Sequence, residues 1–337
     1  MKYVVLLLAL LIFLGGCTSI MNFFGSDVIH VDPVTIEQGT INVVEITNIQ
    51  TIPSASHVVP DMPVQLSFLV ENKDLIDKAD FLRVEMFDAP TFYNTGGQLC
   101  NGQRDNCAPS ACSRDVPCIL LPGEQKQILF EMMAPSEDDI VNIRTQPKIN
   151  FNAKYKFESS LSYVFPVVDY DEVIRRQKAG DSVELGISKS HSSGPIQIDV
   201  ELVGANYGLS NHPVTLNFII RNKGKGNTVN SIIEKHYSGG GDMIRGFEIV
   251  FPQEFEVVEY PVEFFSATCK STGLCKNTLR DVELFKDKSM VTMMFLIQIK
   301  DPHSIDPFRS FQIRARTIYE YELRDSVDIT INPIGNA

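Results

Sequence analysis

Tryptophan is absent from the 337 residues, and so is any Asn-Xaa-Ser/Thr sequence, so N-glycosylation gives no clue to function. Catalytic signatures are missing as well: there is no G-x-S-x-G elbow, no phosphate-binding loop, no dinucleotide fingerprint and no H-E-x-x-H. The six histidines (His30, His57, His191, His212, His236 and His303) stand singly. None lies at a metal-ligand interval from another His or from Cys, and each reads as a solvated loop residue. Positive charge is in short supply: 30 Lys and Arg face 42 Asp and Glu, a net charge of −12 spread along the chain. That balance argues against a nucleic-acid partner and against adhesion to anionic lipid head groups by charge. Long apolar runs are lacking too, save one from Tyr3 to Phe13. It falls short of the roughly 20 residues that a helix needs to cross a hydrocarbon core of about 30 Å.

What is present begins at that run. Met1-Lys2 supplies a positive start, and the small residues Gly15 and Gly16 close the apolar stretch, a secretory signal pattern. The segment Leu14-Gly15-Gly16-Cys17 resembles the lipobox of prokaryotic lipoproteins. The resemblance implies that residues 1–16 are a signal peptide and that the chain is cut before Cys17, whose thiol carries the lipid. The protein is then extracytoplasmic and held to the cell membrane through Cys17. One fatty chain binds only marginally, so a durable anchor implies two or more. Residues 17–34 read as a tether; Thr18 to Pro33 spans on the order of 50 Å when fully extended.

Setting Cys17 aside leaves six cysteines in two tight clusters: Cys100, Cys107, Cys112 and Cys118, then Cys269 and Cys275. An even number in local clusters suits disulfides in an oxidising space. Cys269 and Cys275 have only each other nearby, whereas the first four allow three connectivities. Zinc is disfavoured, because the first cluster has no short C-x2-C knuckle and contains no His.

With 44% apolar content, the chain is long enough for two cored domains. It also repeats itself. Pro63-Val64-Gln65-Leu66-Ser67-Phe68-Leu69-Val70-Glu71-Asn72-Lys73 returns as Pro213-Val214-Thr215-Leu216-Asn217-Phe218-Ile219-Ile220-Arg221-Asn222-Lys223, with six of eleven positions identical. Both alternate apolar and polar residues and break at an Asn, as a half-buried strand does. Phe81–Phe87 then parallels Gly246–Phe251, the cysteine clusters follow, Gln127–Pro135 parallels Val291–Ile297, and Phe151–Phe157 parallels Ile313–Tyr321. Four strands in one order, twice, predict an all-β protein of two tandem sandwiches: residues 35–168, with a Cys-rich loop, and residues 196–333. Between them, residues 169–195 read as a short helix and linker. Acidic residues open Asp169–Lys178, basic ones close it, and Gly180 stops it. Gly186–Pro195 is the expected linker.

Leu120-Leu121-Pro122-Gly123 ahead of a strand, and Asn222-Lys223-Gly224-Lys225-Gly226 after one, resemble the CARDB-type immunoglobulin-like sandwiches of secreted archaeal and bacterial proteins. The other copy departs in each case, with Asn72-Lys73-Asp74 and Lys286-Asp287-Lys288. An antibody-type domain is disfavoured by the missing Trp and the close Cys spacing.

Glu137-Asp138-Asp139 and Asp169-Tyr170-Asp171-Glu172 are weighed as calcium ligands against a solvated loop and a helix start; without an EF-hand loop the plainer reading is preferred. Gly239-Gly240-Gly241-Asp242 reads as a hairpin tip. No cofactor, metal or catalytic residue is assigned, and an enzyme is not expected. Phe92 and Tyr93 beside the first Cys cluster, and Tyr260, Phe264 and Phe265 ahead of the second, are the candidate contact residues on disulfide-stiffened loops. The expected function is a lipid-anchored binding or scaffold protein whose partner is an envelope or surface protein or a glycan. The alternatives are a structural subunit of an envelope assembly and, less favoured, an enzyme with a site that the sequence hides.

Overall fold

A computed structural model describes residues 36–334, apart from residues 38, 95, 101–106, 142, 182–184, 205, 229–245, 262–266 and 277–289. Cys17, the tether, the Gly239–Asp242 loop, Phe264, Phe265 and Lys286–Lys288 lie outside the described residues.

The fold is all-β. Its first half carries β1 (Ile36–Glu37), β2 (Val44–Ile52), β3 (Pro63–Asn72), β4 (Ala79–Asp88), β5 (Cys118–Leu120), β6 (Gln125–Met133) and the long β7 (Lys148–Val168). Then come β8 (Ser188–His191), β9 (Ile196–Leu202), β10 (Gly208–Leu209), β11 (Val214–Asn222), β12 (Asn227–Thr228) and β13 (Gly246–Val250). The chain continues with β14 (Phe255–Glu259), β15 (Leu274–Lys276), β16 (Met290–Ile299) and a second long strand, β17 (Phe308–Asp328). Short helices α1 (Glu137–Ile140), α2 (Tyr170–Ala179) and α3 (Ala267–Thr272) and a 3-10 turn at Pro302–Ser304 complete the described elements.

The duplication is legible in the pairing. In the first half β3 lies between β2 and β6; in the second β11 lies between β9 and β16, with β14 added outside β16. Phe68 and Phe218, matched in the sequence repeat, are both buried on these central strands. Alternation explains the strands: along β3 every second residue from Val64 to Asn72 is buried.

The halves are not two separate sandwiches. Both outer sheets cover one ten-stranded sheet that runs through the whole molecule. Its spine is the antiparallel pair of β7 and β17, in register from Lys148↔Asp328 to Val168↔Phe308. The first half of β7 also pairs with β4, whereas the first half of β17 pairs with β13. Each long strand therefore starts in its own half and finishes in the other. Ala153, opposite Val84, matches Ala315, opposite Ile249, and the same correspondence sets Phe157 against Tyr319, which are paired. A pseudo-two-fold axis passes through that pair.

One large hydrophobic core spanning both halves follows from this arrangement, beside a small separate cluster of Val168, Val173 and Leu185. Phe68 stacks on Phe151 of the shared sheet at 4.4 Å in one half, and Phe218 meets Phe247 edge-on at 6.0 Å in the other. Burying each such ring stabilises by roughly 1.5–3 kcal/mol. At the seam Tyr155, Phe157, Tyr319 and Tyr321 are buried together, with Tyr319 and Ser159 hydroxyls 2.8 Å apart. The Tyr321 hydroxyl donates to Asn222 Oδ1 and accepts from the Gly226 amide. The chain ends fasten the halves further: the Thr330 amide bonds to Ala55 O, and Asn332 N to Val58 O.

The two turn motifs are explained locally. Asn222 Oδ1 accepts from the Gly224 amide, and Asn72 Oδ1 accepts from the Asp74 amide, so both copies make the same side-chain-to-backbone turn. Gly224 is required by space: a Cβ there would sit 2.4 Å from Tyr321 Oη. Leu121-Pro122-Gly123-Glu124 is a type II turn, with Gly123 at φ 69° and the Glu124 amide bonded to Leu121 O.

Helix α2 forms where the charge order indicates. Asp169 caps it, Gly180 ends it in left-handed backbone, and Glu172 pairs with Arg175 and Arg176. Those two guanidinium partners hold the Glu172 carboxyl down at about 2. The linker expected at Gly186–Pro195 is instead strand β8, paired with β7 on one side and β1 on the other. Its Ser-rich composition suited a linker, but the free edge of β7 takes it up. Glu137-Asp138-Asp139, preferred above as a solvated loop, is the turn of helix α1, closed by a capping box between Ser136 and Asp139.

Candidate functional site

The three disulfides join Cys100 to Cys107, Cys112 to Cys118, and Cys269 to Cys275. Cys118 opens β5 and Cys275 lies in β15, so in each half the short strand at the rim of the shared sheet is tied by a bond between residues six apart.

Among the described residues of the first half's Cys-rich loop, the candidate contact rings do not form an exposed tip. Phe92 is fully buried and belongs to the core. Half-buried Tyr93 bridges to Met133, and its hydroxyl donates to Asp139 Oδ2 at 3.3 Å. Burial, with the Asp139 carboxylate beside it, pushes the Tyr93 phenol up. The Ser110 amide bonds to Leu129 O, and the Leu129 amide returns to Ser110 Oγ. The loop thus closes the outer edge of β6, the place that β14 occupies beside β16 in the other half. The aromatic rings were needed to fill that interface. Tyr260 is half-buried against the core. His191 also departs from the reading of a solvated loop: it ends β8, is buried, and burial pushes its imidazole down although Asp199 pulls the other way. Of the other described histidines, His57 and His212 bond at the surface. Among the described residues no group of metal-ligating side chains is assembled.

The structure instead opens a notch at the seam. Along one edge of β7, pairing with β4 stops at Lys156↔Asp80 and pairing with β8 starts at Leu161↔His191. Over the gap stands a groove of about 430 Å³. Phe157 and Ile318 line it from the sheet, Ser160 and Ser192 from the second half, and Asp77, Lys78, Asp80 and Phe81 from the first. Ser192 Oγ accepts from the Ser160 amide at 2.7 Å, which fixes that wall.

Phe81 is the unusual member. It sits in a bulge of β4, between the registers of Asp80 and Arg83, with φ of 52°. A left-handed conformation is an outlier for a bulky residue, and such strain gathers at ligand sites. The bulge turns the ring out of the core to 39% exposure, with Lys156 Nζ 4.7 Å from its centre. Lys78 pairs with Asp80 at 3.0 Å, and Arg316 lies 3.9 Å from Glu158. Burial, and secondarily Asp74, raises the Asp77 carboxyl above its ordinary value. Asp77, Asp80 and Glu158 outnumber Lys78 and Lys156 in the notch, so the site does not favour an anion. None of these residues was singled out from sequence. The one available signal was the repeat itself, which aligns Phe81 with Gly246.

No family model matches the chain, and no curated protein matches it. Among solved structures it is similar to the C-terminal domain of the Streptococcus agalactiae AgI/II polypeptide BspA, at 8% identity and a TM-score of 0.15, over 86% of this chain and 98% of that one. The structure titled BspA_C_mut gives 7% identity and a TM-score of 0.15, over 86% and 96%. Similarity at this level carries no argument about function.

Proposed function

We propose that the protein is a lipid-anchored, extracytoplasmic binding protein, built from two CARDB-like copies, and that the seam notch holds a neutral, hydroxyl-rich ligand, a surface glycan. The observation that carries this reading is Phe81, held in strained backbone with its ring turned into an open groove edged by Ser160, Ser192 and carboxylates. An aromatic face packs on the C–H side of a sugar ring, while Ser160, Ser192 and the carboxylates exchange hydrogen bonds with its hydroxyls. An acidic rim disfavours phosphates and nucleic acids. A peptide added as a strand is disfavoured by length, because only residues 157–160 of β7 lie between its partners on that edge. The lipobox supplies the address, and the disulfides suit an oxidising compartment.

Saturation-transfer NMR with oligosaccharides released from the producing cell's own surface tests the site. The native protein should transfer magnetisation to ring protons, and Phe81→Ala should weaken binding at least tenfold while its unfolding free energy stays within about 1 kcal/mol of native. Undiminished binding by Phe81→Ala, or no binding by the native protein, removes the glycan reading.

A further inference from the structure

A loop beside the notch presents bare aliphatic side chains. Leu75 and Ile76 are 82% and 84% exposed, and Ile119 and Leu121, which flank buried Leu120, are each more than half exposed. The two segments that carry them are fastened to each other. The Gly123 amide bonds to Asp74 O, Leu75 Cδ2 is 3.7 Å from where a Cβ of Gly123 would be, and Asn72 Nδ2 donates to both Asp77 O and Leu120 O.

This finger is held stiffly. Fully buried Asn72 and nearly buried Asp74 fold the loop over themselves: Asp74 Oδ1 accepts from the Ile76 amide at 2.6 Å and from the Asp77 amide at 2.9 Å. Two buried polar side chains thus fix a turn whose tip is aliphatic and in water. Exposed apolar clusters mark partner or membrane contact, and rigid ones lose little entropy on docking.

The course of the chain selects the occupant. The Lys73 amide bonds to Val43 O, so the strand that follows the N-terminal segment runs alongside the base of the finger. Only the residues between Cys17 and Ile36 separate an acylated Cys17 from β1, a reach of at most roughly 65 Å. A tether of that length keeps the finger at an effective concentration of about millimolar beside the bilayer, enough for a small apolar contact to be occupied. We infer that Leu75, Ile76, Ile119 and Leu121 dip into the outer face of the anchoring bilayer, giving the protein a second membrane contact and a fixed orientation, with the notch close to the lipid surface. This rests on the lipid anchor proposed above. With a net charge of −12 the contact is apolar and gains nothing from anionic lipid.

The test uses the full acylated chain in phosphatidylcholine vesicles. A polarity-sensitive bimane is attached through Ile76→Cys or, as control, through Ile143→Cys, an exposed residue near the start of β7. The label at 76 should shift to the blue and be quenched several-fold by brominated lipid, while the label at 143 stays water-like. Protein that floats with the vesicles but keeps label 76 in water contradicts the finger and leaves the anchor standing. Protein that does not float contradicts both. A shift that follows protein density and is untouched by brominated lipid assigns the finger to a second copy of the chain and overturns the membrane contact.

Discussion

Left-handed backbone costs an ordinary L residue roughly 1–2 kcal/mol, and Phe81 bears that cost at a position where Gly carries none. Phe81→Gly and Phe81→Ala both remove the ring, so the difference between them isolates the backbone. The Gly variant should be the more stable by about 1 kcal/mol in urea unfolding followed by tyrosine fluorescence, and both should lose the ligand. Equal stability would mean that the bulge is relaxed and that its conformation says nothing about function. Gly194 shows the opposite constraint: at φ 135° a Cβ would meet Ser159 Oγ at 2.1 Å, inside the seam. Sequence gave little warning of either residue. An aromatic in a run of alternating residues reads as core, and only the alignment with Gly246 marks Phe81 as a position of unusual backbone. Phe92 misled in the other direction. Loop composition does not say which way a ring points, and here an edge of β6 needed covering.

At the scale of elements, the strand repeat was legible because period-two alternation and Asn turns are local signals. Its consequence was not. Nothing in the alternation of Lys148–Val168 or Phe308–Asp328 reveals that they pair with one another along their whole length. That pairing is a long-range contact, selected by the edge each strand leaves open. The seam tyrosines follow the same rule, since each is buried only when the other half is present. Residues 36–195 and 196–334, produced separately, should therefore fail to show cooperative urea unfolding, whereas the whole chain should unfold in a single transition. Either fragment with its own sharp transition would restore the picture of independent tandem domains. Helix α2 needed no such partner: its cap, its charge order and its stop are all written within Asp169–Gly180, and it formed where they point.

For the whole molecule, the shared sheet places notch and apolar finger side by side: Asp77, which lines the groove, follows Ile76, which tips the finger. On the function proposed above, a protein anchored at Cys17 and set down on its finger would hold a glycan near the membrane rather than reach far from the cell. Every part of that account depends on where the chain is delivered and what is attached to Cys17. The decisive measurement is an intact and peptide-level mass spectrum of the protein extracted from its native membranes without reductant. The account predicts a chain that begins at Cys17, carries at least two acyl chains, and has Cys100 linked to Cys107, Cys112 to Cys118 and Cys269 to Cys275. An unmodified Cys17 on a chain that still begins at Met1, or six free thiols, would contradict it.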